Sequence, residues 1–162
     1  MSESHTATPW RPQRWVLLAL TVMLSGRAMT LAFLPRVGGT GAGDPPDAWL
    51  MPLVGDAVIG VTAIAIVVLI ARGRGLWAWL AIVTWNALGI WDALSAFLVH
   101  SSVPWPEFFM VQIFGSSMFF AATAMHVVNL ALVSSPGLRD PFLRDDTRSR
   151  PSANPVEASP TA

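Results

Sequence analysis

The sequence contains no cysteine and no lysine, and each absence removes a class of chemistry. Without cysteine, the chain holds no disulfide, thiolate metal site, redox dithiol or cysteine nucleophile. Without lysine, its ten basic residues are all arginines, and neither retinal nor pyridoxal phosphate can form a Schiff base with it. An arginine-only basic set, with many Ala, Gly, Pro and Trp residues, is typical of a GC-rich bacterial genome.

Charged residues are also scarce. They make up 12% of the 162 residues, about half of the roughly 25% found in soluble domains, whereas 53% of the residues are hydrophobic. Most of the charges gather at the two ends and in short gaps between long apolar runs. The chain has the length of a single domain, and this distribution predicts a membrane protein whose surroundings are the lipid bilayer.

Sequence motifs of phosphate-binding loops, zinc peptidases and serine hydrolases are absent as well. With no nucleophile–base pair to point to, the sequence gives no reason to expect an enzyme. It predicts no metal site and no cofactor. A nucleic-acid partner is not predicted either, because the C-terminal arginines alternate with aspartates, a pattern that favours weak attraction to anionic lipid.

Four apolar runs are each close to or above the ~20 residues that cross a bilayer as a helix. They cover residues 15–34, 50–71, 76–99 and 108–133. Short breaks, most of them rich in Gly or Pro, separate the runs, and Pro136-Gly137 predicts the end of the last helix. The prediction is an all-α integral membrane bundle of four antiparallel transmembrane helices within residues 15–135. A polar lead-in over residues 1–14 and a disordered tail over residues 136–162 flank it.

The arginines near the ends of the runs predict the orientation, because cytoplasmic loops of membrane proteins are enriched in basic residues. The N-terminal segment, the second gap and the C-terminal tail together carry eight: Arg11, Arg14, Arg72, Arg74, Arg139, Arg144, Arg148 and Arg150. The opposite side carries only Arg36. Both termini are therefore predicted to be cytoplasmic, with the protein in the plasma (inner) membrane. The first run is too long for a signal peptide and is predicted to be retained.

Polar residues inside the predicted spans are candidates for function, because a polar group in hydrocarbon is costly. They are Arg27, Asp56, Asn86, Asp92, Gln112, His126 and Asn129. On the second, third and fourth runs, spacings of three and four residues place them on helix faces that also carry small residues. Such faces are typical of the buried seam of a membrane bundle, so all three are predicted to point inward.

Arg27, Asp56 and Asp92 are predicted to lie at one level in the membrane. At a rise of ~1.5 Å per residue, with alternate spans running in opposite directions, each falls about 10 Å below the outer surface. One interpretation is a structural ion pair that fixes helix packing. The other is a site for a proton, an ion or a small solute. Two carboxylates against one guanidinium leave a spare negative charge, and one aspartic acid can then carry a proton.

Asn86, Gln112, His126 and Asn129 are secondary candidates. Asn86, near mid-membrane, is predicted to hydrogen-bond across helices, a contribution of roughly 1 kcal/mol. His126 and Asn129 are predicted in the cytoplasmic half of the fourth span, where a lone histidine is more often a packing residue than a ligand. Haem held between two histidines is disfavoured, because His100 is predicted to lie about 25 Å or more from His126.

Three short motifs resemble a group of small multi-pass bacterial membrane proteins that have no assigned activity. They are Gly55-Asp56, the NALGIWD segment over residues 86–92, and Met125-His126. The resemblance covers about residues 50–133. It implies no activity for this chain and adds emphasis to Asp56, Asn86, Asp92 and His126.

Three classes of function remain open from the sequence. The first is a multi-pass membrane protein linked to proton, ion or small-solute movement through the Arg27, Asp56 and Asp92 cluster. The second is a non-catalytic subunit or assembly factor of a larger membrane complex. The third is a redox subunit that binds haem or quinone. Four small spans enclose no wide pore, so transport would require at least a homodimer.

Overall fold

The structure is a computed structural model, and it describes residues 12–37, 45, 47–105 and 109–143. Every regular element within these ranges is a helix. Four helical stretches are long and apolar enough to cross a membrane: Pro12–Arg36, Leu50–Arg72, Leu76–Ser102 and Ser117–Ser134. These stretches confirm the prediction of an all-helical, membrane-embedded chain with four helices of spanning length.

The first stretch changes its winding part-way along. It begins as helix α1, Pro12–Leu24, and continues as a 3₁₀ helix over Ser25–Ala32, called here the 3₁₀ segment. A 3₁₀ run of this length is uncommon, and its tighter winding brings side chains at i and i+3 into line. The Thr30 hydroxyl accordingly donates to the carbonyl of Arg27 at 2.8 Å, and it lies 3.2 Å from the carbonyl of Leu53.

Helices α2, Leu50–Arg72, and α3, Leu76–Ser102, are joined by a glycine turn. Gly73 adopts a left-handed conformation at φ +62°, and its N–H donates to the carbonyl of Leu69 at 2.9 Å. The Arg14 guanidinium donates to the carbonyls of Ile70 and Ala71 at 2.5–3.1 Å. A cation at this position satisfies carbonyls that have no partner inside the helix and complements its negative end.

The fourth predicted span is interrupted, which the sequence prediction of a continuous run over residues 108–133 missed. Helix α4 covers Phe109–Phe114 and helix α5 covers Ser117–Ser134. Gly115 lies between them at φ +56°, a left-handed conformation that ends a helix and that glycine adopts without strain. The spanning helix therefore begins nine residues later than predicted, at Ser117 instead of Phe108.

A further helix, α6, covers Pro136–Leu143, where the sequence predicted a helix stop and a disordered tail. Pro136 occupies the first turn of a helix, a position that needs no backbone N–H donor. Leu138 and Phe142 are one turn apart and both buried, and they pack into the same apolar cluster as Leu17 and Val133. Pro12 to Arg14, placed in the polar lead-in, are already helical; residues 1–11 and 144–162 lie outside the described residues.

Two apolar clusters form the core, and a polar layer separates them. One cluster includes Leu24, Ile59, Trp85 and Val133; the other includes Leu53, Ala96 and Phe119, with Phe33 packed against it. Along each spanning helix one titratable residue falls between the two clusters: Arg27, Asp56, Asp92 and His126. Most of the exposed side chains on the spanning helices are apolar, with Trp77 81% and Trp91 73% exposed, as a lipid-facing surface requires.

Candidate functional site: one arginine between two aspartates

Arg27, from the 3₁₀ segment, binds two aspartates that belong to different helices. Its Nε donates to Oδ1 of Asp56 on α2 at 2.5 Å. Its Nη2 forms ion pairs with the same Asp56 oxygen and with Oδ2 of Asp92 on α3. The side chains are 11%, 15% and 14% exposed in the order Arg27, Asp56, Asp92. We call these three residues the ion cluster.

A histidine from the fourth spanning helix completes the ring of groups around the guanidinium. Arg27 Nη1 donates to Nε2 of His126 at 3.1 Å and lies 3.4 Å from the carbonyl of Gly89. Because arginine has donors only, Nε2 must accept, and the ring proton is on Nδ1. Nδ1 lies 3.1 Å from Oδ1 of Asn86, whose amide in turn donates to the carbonyl of Ile82 at 2.9 Å. His126 is therefore a neutral imidazole with both nitrogens bonded.

The guanidinium of Arg27 is saturated by this set of partners. Nε faces Asp56, Nη1 faces His126 and Gly89, and Nη2 faces both aspartates. Every N–H group of the side chain thus has an acceptor supplied by the chain itself. An incoming anion would find no free donor on Arg27.

The two carboxyl groups of the ion cluster lie close together, because an oxygen of each one contacts the same Arg27 nitrogen, Nη2. Ionised carboxylates are acceptors only, so a hydrogen bond between Asp56 and Asp92 needs a proton on one of them. With both ionised, the cluster would carry one negative charge that Arg27 does not balance. Burial makes such a charge costly, and a shared proton removes it.

Glycines make room for the polar groups. A Cβ at Gly55 would stand 1.8 Å from Oδ1 of Asp92, and one at Gly89 would stand 2.2 Å from the His126 ring. At Gly60 it would stand 2.0 Å from the backbone nitrogen of Ala28. The first two positions admit side chains of the polar layer, and the third lets α2 approach the backbone beside Arg27, as small residues do in membrane bundles.

A second polar contact lies one turn beyond His126. The amide of Asn129 donates to the Thr21 hydroxyl at 3.4 Å, and that hydroxyl donates to the carbonyl of Leu17 at 2.8 Å. Both polar side chains are fully buried. Asn129 Oδ1 has no hydrogen-bond partner among the described residues.

The structure brings together five of the seven residues singled out from the sequence: Arg27, Asp56, Asn86, Asp92 and His126. Asn129 stands just outside this group. Gln112 does not join it: the sequence predicted an inward side chain, but Gln112 lies on α4 and is exposed, because the break at Gly115 releases α4 from the helical phase of α5.

His126 lies at the level of Arg27 along the helix bundle. It was predicted in the cytoplasmic half of the span; in the structure it lies about 13 Å along α5, counted from Ser117, and its Nε2 is 3.1 Å from Arg27 Nη1. Sequence reasoning also missed Trp85 as a site residue. Its ring packs edge-on against the His126 ring with centroids 5.0 Å apart, and its Nε1 donates to the Thr62 hydroxyl at 3.0 Å.

Two openings reach the ion cluster from different sides. A cavity of about 230 Å³ lies between the first span, α3 and α5, and its lining includes Arg27 and Asp56. A groove of about 430 Å³ runs between α2 and α3 and includes Gly55 and Asp92. Each aspartate thus contributes to the wall of a different opening.

His100, the other histidine of the spans, packs in the second apolar cluster against Trp49 and Phe119, away from the ion cluster. Within the part of the chain that the structure describes, no group of three or more His, Cys, Asp or Glu side chains is arranged to hold a metal ion. Comparison with protein-family models, with curated proteins and with solved structures finds no match to this chain.

Proposed function

We propose that the chain is a multi-pass plasma-membrane protein, with four antiparallel spans and cytoplasmic termini, whose ion cluster holds an exchangeable proton. The observation that carries this proposal is a single buried guanidinium whose Nη2 pairs with two carboxyl groups at once. Both carboxylates cannot stay ionised there without leaving a charge unbalanced in a medium that solvates it poorly.

Contacts at both ends of helix pairs support the antiparallel arrangement. Arg14, at the start of the first span, meets the end of α2, and Thr30, late in the first span, lies near Leu53 at the start of α2. For α3 and α5, Trp79 Nε1 at the start of α3 donates to the carbonyl of Val133 at the end of α5 at 3.1 Å. The eight-to-one arginine distribution supports cytoplasmic termini.

The two openings support a proton that exchanges, as distinct from one that is sealed in. Asp56 contributes to the cavity and Asp92 to the groove, and a proton shared between them faces both. Arg27 on the 3₁₀ segment and His126 on α5 are the other titratable groups that face it.

Infrared difference spectroscopy of the purified protein in lipid nanodiscs tests the proposal. Between alkaline and acid buffer we expect the carbonyl band of a buried, protonated carboxylic acid to appear, shifted in deuterated buffer. The Asp92→Asn protein should lack the band, while Asp47→Asn, which changes an exposed carboxylate, should keep it. A wild-type protein with no buried band that titrates would refute the proposal and leave the cluster as a packing device.

A further inference from the structure

We infer that the cavity beside Arg27 and Asp56 binds a small lipophilic amine that enters from the membrane, its ammonium group replacing the shared proton. This inference rests on the proposed proton site, because it assigns the same spare negative charge to a second cation. Three features of the cavity lead to it: its size, its lining and its accessible polar group.

The size of the cavity fits one ring with a short side chain. An apolar cavity of about 150 Å³ binds benzene, and this one measures about 230 Å³. Small residues create the space, because Gly26, Ala93, Ala96 and Ala122 line the cavity where larger side chains would fill it. A Cβ at Gly26 would meet nothing within 4 Å.

The lining of the cavity selects an apolar ligand body. Most of it is hydrophobic and rich in methionine, with Met23, Met29, Met118, Phe119 and Met125 among the lining residues. Methionine side chains adapt to irregular shapes and pack favourably against aromatic rings. Met23 and Met29 are 64% and 54% exposed, so the cavity opens on the membrane-facing surface of the first span. A ligand therefore reaches it from the bilayer.

The charged residues in the lining of the cavity, Arg27 and Asp56, determine which head group the ligand can carry. Arg27 has no N–H left for an anion, because each one already faces an acceptor of the chain. Asp56 binds Arg27 through Oδ1, which leaves Oδ2 to accept from a donor. The excess charge of the ion cluster is negative, so a donor with a positive charge is preferred to a neutral one. An ammonium group meets both conditions.

A proton and an ammonium group compete for one negative charge. The affinity for the amine is therefore expected to depend on pH. The titratable groups facing the site are Arg27, Asp56, Asp92 and His126. While the cluster is protonated, an amine must displace the proton to bind. Affinity for the amine is therefore expected to rise by up to about tenfold per pH unit across the titration of the cluster, until the amine itself loses its proton.

Isothermal titration calorimetry on the full chain in nanodiscs tests the inference with three probes of similar shape. We expect phenethylamine to bind, phenylethanol to bind about tenfold or more weakly, and hydrocinnamate to show no binding. Affinity for phenethylamine should increase with pH. Equal affinities for all three probes, or an amine affinity that is flat with pH, would overturn the inference.

A matched pair of variants locates the site. Ala122→Leu fills the cavity and should abolish phenethylamine binding, whereas Ala121→Leu adds the same volume on an exposed position of α5 outside the cavity and should not. Equal loss of phenethylamine binding in both variants would show that the amine does not bind in the cavity. The probe comparison on the wild-type protein stands whether or not Ala122→Leu folds.

The failures of the two proposals can be distinguished. An infrared band without any heat of phenethylamine binding overturns the amine inference and keeps the proton site. Phenethylamine binding with an affinity that is flat with pH, in a protein without a titrating band, overturns the exchangeable proton and the amine inference together.

Discussion

Gly89→Ala is expected to drive the His126 ring away from its partners. A Cβ at residue 89 would stand 2.2 Å from both Cε1 and Nε2 of the imidazole and 2.7 Å from Nδ1. The ring has little freedom to give way, because it is fully buried and packs against Trp85. Moving it breaks the contacts with Arg27 and Asn86 together.

The expected change in the free energy of unfolding of Gly89→Ala has three contributions. Overpacking a well-filled core costs about 1–3 kcal/mol. Loss of a hydrogen bond to a charged group costs about 1.5–3 kcal/mol. Alanine in a helix interior stabilises the folded state by about 1 kcal/mol relative to glycine. The net loss in the free energy of unfolding is expected to be about 1.5–5 kcal/mol.

Gly26→Ala is the matched control, because it makes the same substitution in the first span, where a Cβ would meet nothing within 4 Å. The assay is unfolding of the detergent-solubilised protein with increasing denaturing detergent, followed by tryptophan fluorescence. Gly26→Ala should unfold within about 1 kcal/mol of wild type. If Gly89→Ala is as stable as Gly26→Ala, His126 is not held against Gly89 as described and the reasoning fails.

Other predictions use the same unfolding assay. Gly60→Ala should cost about 3 kcal/mol or more, because its Cβ would meet the backbone of the first span at 2.0 Å; stability close to wild type would refute that contact. Arg14→Gln should cost about 1–2 kcal/mol through the carbonyls it caps, and Arg72→Gln, an exposed control, less than about 0.5 kcal/mol. Phe142→Ala should cost about 3 kcal/mol and Leu143→Ala, 38% exposed, much less; equal effects would show that α6 is not docked.

Much of the fold was predictable because it depends on runs of residues. Length and hydropathy fixed the second and third spans to within about three residues of Leu50–Arg72 and Leu76–Ser102. The meeting of Arg27, Asp56 and Asp92 was predictable too, since alternate directions and a constant rise per residue set their relative depths. Both inferences average over many residues and tolerate small local errors.

Features set by single residues were not predictable in the same way. The left-handed turn at Gly115 shifts the start of the fourth spanning helix, and this shift brings His126 opposite Arg27 and turns Gln112 outward. The docking of α6 depends on the Leu138 and Phe142 pair, which a polar and proline-rich tail conceals. The hydrophobic periodicity of the sequence predicts neither the break at Gly115 nor the docking of α6.

The close contacts at Gly55 and Gly89 could be suspected from the sequence, but the side chains that fill the space beside these glycines could not be identified. Small residues on a polar helix face indicate close packing, yet they do not say which side chain fills the space. The structure gives that answer, with Asp92 at Gly55 and His126 at Gly89.

The central claim, that one proton balances the excess carboxylate beside Arg27, is tested most directly by the infrared band in two single variants. Asp56→Asn and Asp92→Asn each leave one carboxylate against one guanidinium, a pair that is neutral without a proton. The account predicts that either substitution removes the titrating band, even though one aspartate remains in each protein. A band that survives in either variant at wild-type intensity would contradict it.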